Sequence, residues 1–371
     1  MTAADALFAN IRNSYDSDMF LGFTCTYYVP SNLRVDIDEW MARVGRSGLK
    51  RLTPKKPRAI DAFKRATATA AENRRMRDGE YQYKFLVRDA GSDQDKSFRT
   101  IVVEQLDSEG HKLSYGEAVL FTYDRKTEVI EPEPIIDYDF LAGFPEDLIR
   151  LISDKIERVY TQYYTEVRTL NDIKVRELIK GVLVDQTLGV PVRPVGQPYF
   201  VLNFRNPDSA YHGNHDKLVA LDKFINGVGE TECPDCQGKG IVGNGGGTTE
   251  CDTCKGDGNV VDRGISGCSF HWAPLVDDAM QRQFVRQSFL DETSDSVGVF
   301  MDQMAKMIKG DRPLTESSVD SMLQEYATLS TKVDEYKTFL EDELLVAQAE
   351  LKLMFKQCTE MQKAYDRKGK S

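Results

Sequence analysis

Two copies of one short cysteine pattern sit near the middle of this 371-residue chain, and no other feature restricts its fold as tightly. Cys233-Pro-Asp-Cys236-Gln-Gly-Lys-Gly240 and Cys251-Asp-Thr-Cys254-Lys-Gly-Asp-Gly258 both read CxxCxGxG, with fourteen residues between Cys236 and Cys251. Two thiolates three positions apart reach one ion from a tight turn. Glycines just behind the second cysteine permit positive φ and bring backbone N–H groups towards sulfur. Two such knuckles facing each other complete a tetrahedral four-sulfur site with no open position, which marks a structural site. The spacing therefore predicts one Zn2+ held by Cys233, Cys236, Cys251 and Cys254 on an arm over 229–264, with the glycine-rich 243–249 at its tip.

The repeat resembles the cysteine-rich zinc region of DnaJ-type chaperones, where four copies form two zinc sites on a long hairpin-like arm. Here two copies cover 233–258. The resemblance thus implies one zinc site with the same four cysteines as ligands, and a zinc-stabilised arm without a chaperone cycle. None of the four histidines (His111, His212, His215 and His271) precedes proline. Without a His-Pro-Asp tripeptide, no stimulation of a partner chaperone's ATPase is implied. Beyond the repeat, the segments 61–66, 197–201 and 334–340 resemble in layout uncharacterised proteins of bacteria and their phages, a likeness that carries no activity.

Four of the seven cysteines belong to the repeat, and Cys25, Cys268 and Cys358 are scattered. That usage suits a reducing compartment, so a cytoplasmic protein is expected. Neither a signal peptide nor a membrane span is expected, because no run of eighteen apolar residues and no basic-then-apolar N-terminus occurs. Cys268-Ser-Phe-His271 is a further CxxH pair, too small alone for a closed site, and reads as buried structural residues.

The net charge of −11 conceals an asymmetry. Between Arg43 and Arg77 twelve basic residues are opposed only by Asp61 and Glu72. Such a block is an electrostatic footprint for nucleic acid, with Lys50, Arg51, Lys55, Lys56 and Arg58 on phosphates, or a surface that docks on the protein's own acidic parts or on an acidic partner, or a solvated face.

The hydropathy pattern predicts an α+β protein: an antiparallel sheet with helices, a small helix–helix–hairpin module, the zinc hairpin arm and a C-terminal long-helix or coiled-coil segment. Residues 1–140 form the first domain, with a strand over 20–29, a helix capped by Ser31, the basic segment 43–77 and a helix from Ala59 to Met76. Period-two runs at 81–87, 98–104, 117–123 and 127–131 form its meander, whose tyrosines and phenylalanines read as sheet packing more readily than as base-stacking platforms. Residues 145–228 give two helices and a hairpin, which is the order of a winged-helix module but reads more readily as a purely structural α+β module. Residues 273–371 are helical. After Thr315 one stripe runs to about Asp366, a helix of roughly 75 Å that either folds back on 280–307 or pairs with a second copy.

No P-loop, HExxH, GxSxG, kinase or deaminase pattern is present, and the four-sulfur site leaves no position for water. The expected role is thus non-enzymatic: nucleic-acid binding or macromolecular assembly. The rivals are a protein–protein adaptor or a DnaJ-like holdase using the arm and the long helix.

Overall fold

The computed structural model describes residues 20–75, 81–135, 146–193, 197–233, 235–244, 247–341 and 344–368. The chain divides into two compact units, one of residues 32–41 and 54–171 and one of residues 1–31, 42–53 and 172–371. The architecture is mixed α and β with antiparallel sheets, as the pattern predicts.

The first unit is a five-stranded meander in the order β3 (Glu72–Arg75), β4 (Gln82–Ser92), β5 (Lys96–Leu106), β6 (Lys112–Asp124), β7 (Ile130–Pro134). One face buries Tyr83, Phe85, Ile101, Val103, Phe121 and Tyr123. Helix α2 (Ala59–Ala68) and helix α3 (Glu146–Arg168) cover that face with Phe63, Ala66, Leu148, Val159 and Tyr163. Four aromatic strand residues are therefore core, and Phe63 stacks on Tyr123 at 5.4 Å between centroids. Helix α2 stops eight residues before the expected Met76, which lies outside the described residues. The hydroxyls of Thr67 and Thr69 bond back to the carbonyls of Phe63 and Ala66, and residues 72–75 pair with β4 instead. The short pair β2 (Arg34–Asp36) and β8 (Thr169–Asn171) completes the unit. After β2 comes helix α1 (Ile37–Ser47), within which the boundary between the units falls. Asp36, not the expected Ser31, caps α1 by accepting from the N–H groups of Asp38 and Glu39.

In the second unit the order across the sheet is β15 (Ser269–Val276), β1 (Phe20–Tyr28), β10 (Tyr199–Leu202), β9 (Val190–Pro191). Leu21, Phe23 and Cys25 of β1 are buried. Helix α4 (Asp172–Gly181) continues as a wider turn over Val182–Gln186, and helix α5 (Asn214–Asn226) leads towards the arm. The expected helix–helix–hairpin module is divided: α3 belongs to the sheet unit, while α4, β9 and β10 belong here, with β10 paired to β1. Arg176 of α4 donates to the Val29 carbonyl at 2.7 Å, which ties α4 to the end of β1.

The C-terminal stripe is not one continuous helix. It forms two helices, α7 (Glu316–Leu340) and α8 (Leu345–Lys368), after the long helix α6 (Ala279–Lys309). Glu341 and Leu344 take positive φ, and α8 folds back against α7. Met322, Val333, Leu351, Met354 and Met361 pack in one core with Phe289 and Phe300 of α6. The stripe is thus covered within the chain, and the second copy that a single exposed helix would require is not needed. Among the described residues no helix is long and apolar enough to cross a membrane.

One buried charge pins the edge of the first sheet. Lys155 Nζ lies 2.6 Å from Glu72 on β3, with side-chain exposures of 1% and 35%, and sits 4.4 Å from the Phe85 ring centroid. Glu72→Ala strands the ammonium and is expected to cost about 1–3 kcal/mol, the low end for a broken buried pair because water reaches the carboxylate. Lys155→Met removes the buried charge itself and should cost less. Urea unfolding of both variants checks the order.

Candidate metal centre

The arm leaves α5 and returns to β15 as two nested ladders. Strand β11 (Gly229–Glu232) pairs with β14 (Asn259–Asp262), and beyond the cysteines β12 (Ile241–Asn244) pairs with β13 (Gly247–Glu250). The knuckles sit between the two ladders, one on each strand of the excursion.

Their backbones grip each other reciprocally. Cys233 N–H donates to the Gly258 carbonyl and Cys251 N–H to the Gly240 carbonyl, both at 2.8 Å. The Gly240 N–H points at the Cys236 sulfur at 3.2 Å, and the Gly258 N–H at the Cys254 sulfur at 3.3 Å. The Thr253 hydroxyl donates to the Asp235 carboxylate from one knuckle to the other. The glycine offsets of the repeat follow from this contact. Gly240 has φ +71° and a side chain there would meet the Gly256 carbonyl oxygen at 2.2 Å; Gly258 has φ +74° and would meet the Gly238 carbonyl oxygen at 2.4 Å. Each knuckle's last glycine thus packs on the other knuckle's first.

This clasp brings four sulfurs together. All four cysteines are buried, with Sγ atoms within 4.8 Å of one another, 3.7 Å for Cys233–Cys251 and 3.6 Å for Cys236–Cys254. A tetrahedral thiolate site with metal–sulfur bonds of about 2.3 Å sets its sulfurs about 3.8 Å apart, so the donor set fits a metal ion. The N–H groups of Cys254 and Thr253 help pull the Cys251 thiol down to about 7, while burial pushes Cys254 up to about 11. A bound cation would override the second effect, because a coordinating thiol is deprotonated outright. Cys268 and His271 stand apart from the cluster. Cys268 is half-buried, with its thiol pushed up to about 11 by burial, and His271 is exposed on β15, not buried as its sequence suggested.

The basic candidates fall in both units. Lys50 and Arg51 lie in the second, and Lys55, Lys56 and Arg58 in the first. All five are exposed. Arg51 pairs with Asp185 at 3.3 Å, Lys56 with Glu128 at 2.9 Å and Arg58 with Asp61 at 3.6 Å. Exposed pairs of this kind are weak and exchange readily for other anions. Further along the block, Arg65 pairs with Glu166 at 2.6 Å. The acidic partners Glu128, Glu166 and Asp185 are remote in sequence, so local composition concealed them.

Replacing Gly240 or Gly258 with alanine is expected to abolish metal binding by the arm as fully as Cys→Ser at any one ligand. Metal-to-protein ratio by elemental analysis, together with protease cleavage within 229–264, reads both effects. A glycine variant that retains a full metal complement would refute the clasp as described.

No curated protein and no solved structure matches the chain. A family model does match over nearly the whole length, residues 20–367, so the chain belongs to this family of unknown function (DUF6744).

Proposed function

We propose that the protein is a non-enzymatic binding protein whose arm is held by one structural Zn2+ on Cys233, Cys236, Cys251 and Cys254, and that its partner is nucleic acid. The observation that carries the zinc assignment is the closed, reciprocal four-sulfur cluster. Four buried thiolates at tetrahedral spacing favour a soft or borderline ion, and Zn2+ is the usual occupant of such a site. With all four positions filled by protein, the ion has no place for a substrate or an activated water, which argues for a structural role.

Because the ligands bind as thiolates, zinc should be released as pH falls and protons compete for sulfur. Removal of zinc by a strong chelator is expected to unfold the arm locally while the two sheets and the helical core persist. Circular dichroism with proteolytic mapping of 229–264 distinguishes this from global unfolding.

The nucleic-acid reading rests on the exposed cations Lys50, Arg51, Lys55, Lys56 and Arg58 in a chain that is otherwise strongly acidic. Their carboxylate partners do not oppose it, since phosphates can displace weak surface pairs. One observation favours a protein-binding reading, as adaptor or holdase. Ile241 and Val261 are exposed on the arm, while Val242 and Val260 pack on the sulfurs.

Fluorescence anisotropy of zinc-loaded protein with labelled single- and double-stranded DNA and RNA, across a salt series, separates the two. The expected result is micromolar or tighter binding that weakens steeply with salt and is lost when the five cations become alanine. Absence of binding at low salt would refute the nucleic-acid reading and leave the adaptor.

A further inference from the structure

The beginning of the basic block has a destination apart from the five exposed cations. In the second unit, Arg43 and Arg46, three positions apart on α1, line a cleft of about 550 Å3 together with Lys223 of α5. The foot of the arm closes one side through Val228 and Asp262, and Asp216 of α5 stands at the rim. Val219, Ala220 and Phe224 supply apolar lining. The volume lies in the range of small-molecule sites.

The charges do not cancel within the cleft. Arg43 Nη1 donates to Asp262 Oδ1 at 2.8 Å, with side-chain exposures of 14% and 19%. Burial alone would raise Asp262, but the Gly264 N–H, Arg43 and the nearby Arg46 hold it below the usual carboxylate range. Arg43 is thus neutralised by an anion that stays ionised. Among the described residues neither Arg46 nor Lys223 is paired with a carboxylate. Asp216 is 89% exposed and lies against His215 Nδ1 at 3.2 Å. Two cations therefore border a partly apolar cavity with no carboxylate in salt-bridge contact, Asp262 acting on Arg46 only from a distance.

We propose that this cleft binds a nucleoside phosphate unit, with its phosphate between Arg46 and Lys223 and its base against Val219, Phe224 and Val228. A single carboxylate would satisfy one cation, whereas a phosphate offers several acceptor oxygens to a guanidinium fork and an ammonium together. The apolar lining suits the flat face of a base better than a bare inorganic anion. The unit is either a free nucleotide or one residue of a nucleic-acid strand, and only the second source rests on the nucleic-acid reading above.

The test uses zinc-loaded full-length protein and the double variant Arg46→Ala/Lys223→Ala. Both side chains are exposed, so fold and zinc content should be unchanged. Calorimetric titration with AMP, competed by inorganic phosphate, is run beside anisotropy with a short labelled single strand. The inference expects at least one of AMP and the strand to bind, and the double variant to weaken that binding by about tenfold or more, the loss of two charge-assisted contacts. A loss seen with AMP assigns the site to free nucleotide; a loss seen with the strand alone assigns it to nucleic acid. Binding of neither probe overturns the inference, as does binding that the double variant leaves unchanged. Strand binding that depends on Lys50, Arg51, Lys55, Lys56 and Arg58 but not on Arg46 and Lys223 would overturn this inference while sustaining the nucleic-acid reading.

Discussion

Strand β1 is the constraint on which the second unit depends. It pairs with β10 on one side and with β15 on the other, so residues 20–28, 199–202 and 269–276 are fixed in one sheet. Whatever lies between β10 and β15 must leave that sheet and return to it. Helix α5 and the arm fill this interval, and the return is tied beside the departure: Ile265 N–H donates to the Ile225 carbonyl at 2.8 Å, and Asn226 bridges to both backbone groups of Phe270. The arm is thus closed at its neck before the cysteines close it a second time. Closing the neck first shortens the loop that the knuckles must close, which lowers the entropic cost of bringing four sulfurs together.

The sequence made most of the metal centre legible because its determinants are local. Each knuckle's ligands lie three residues apart, and the glycines that allow the clasp are part of the same eight residues. The meander was equally legible, since Tyr83 and Phe85 alternate with less buried neighbours at the period of a strand. What sequence could not supply was the partner of each element. Residues 72–75 carry Glu72, Asn73, Arg74 and Arg75, a polar run with no strand signature, and they become a strand because they close the edge of β4 and bring Glu72 to the buried Lys155. The break between α7 and α8 was hidden for a related reason: two consecutive helices whose stripes face one core keep the three- and four-residue spacing of a single helix. Neither glycine nor proline marks it. Glu341 takes the left-handed cap position that glycine usually fills, and the packing of α7 and α8 on α6 sustains it.

The basic block shows how charge and position separate. As a run in sequence, 43–77 reads as one feature. In space its residues meet very different surroundings: Arg43 is held in a shielded pair with Asp262, Arg51, Lys56 and Arg58 stand in exposed pairs, and Arg46 is left unpaired beside a cavity. These environments differ in what an incoming phosphate would have to displace. A surface pair is screened and yields at little cost, whereas Arg43 and Asp262 would each lose a well-placed partner in a site where water penetrates poorly. Arg43 is therefore a wall of the cleft, fixing α1 to the foot of the arm, and Arg46 is the group free to receive a ligand.

Among the described residues the interior of the arm contains little besides sulfur. Its core is the four cysteines with two half-buried valines, Val242 and Val260, against them. Short two-stranded ladders are marginal in water, and two valines bury too little apolar surface to offset the ordering of the excursion. The thiols oppose their own assembly further if they ionise together, because like charges at 3.6–3.7 Å repel in a buried site. A divalent cation reverses that sign: the same four thiolates that would push the knuckles apart become the bonds that hold them. The reciprocal glycine contacts set the geometry in which this reversal is largest, since a side chain at Gly240 or Gly258 would drive the two knuckles apart and move the sulfurs out of tetrahedral reach.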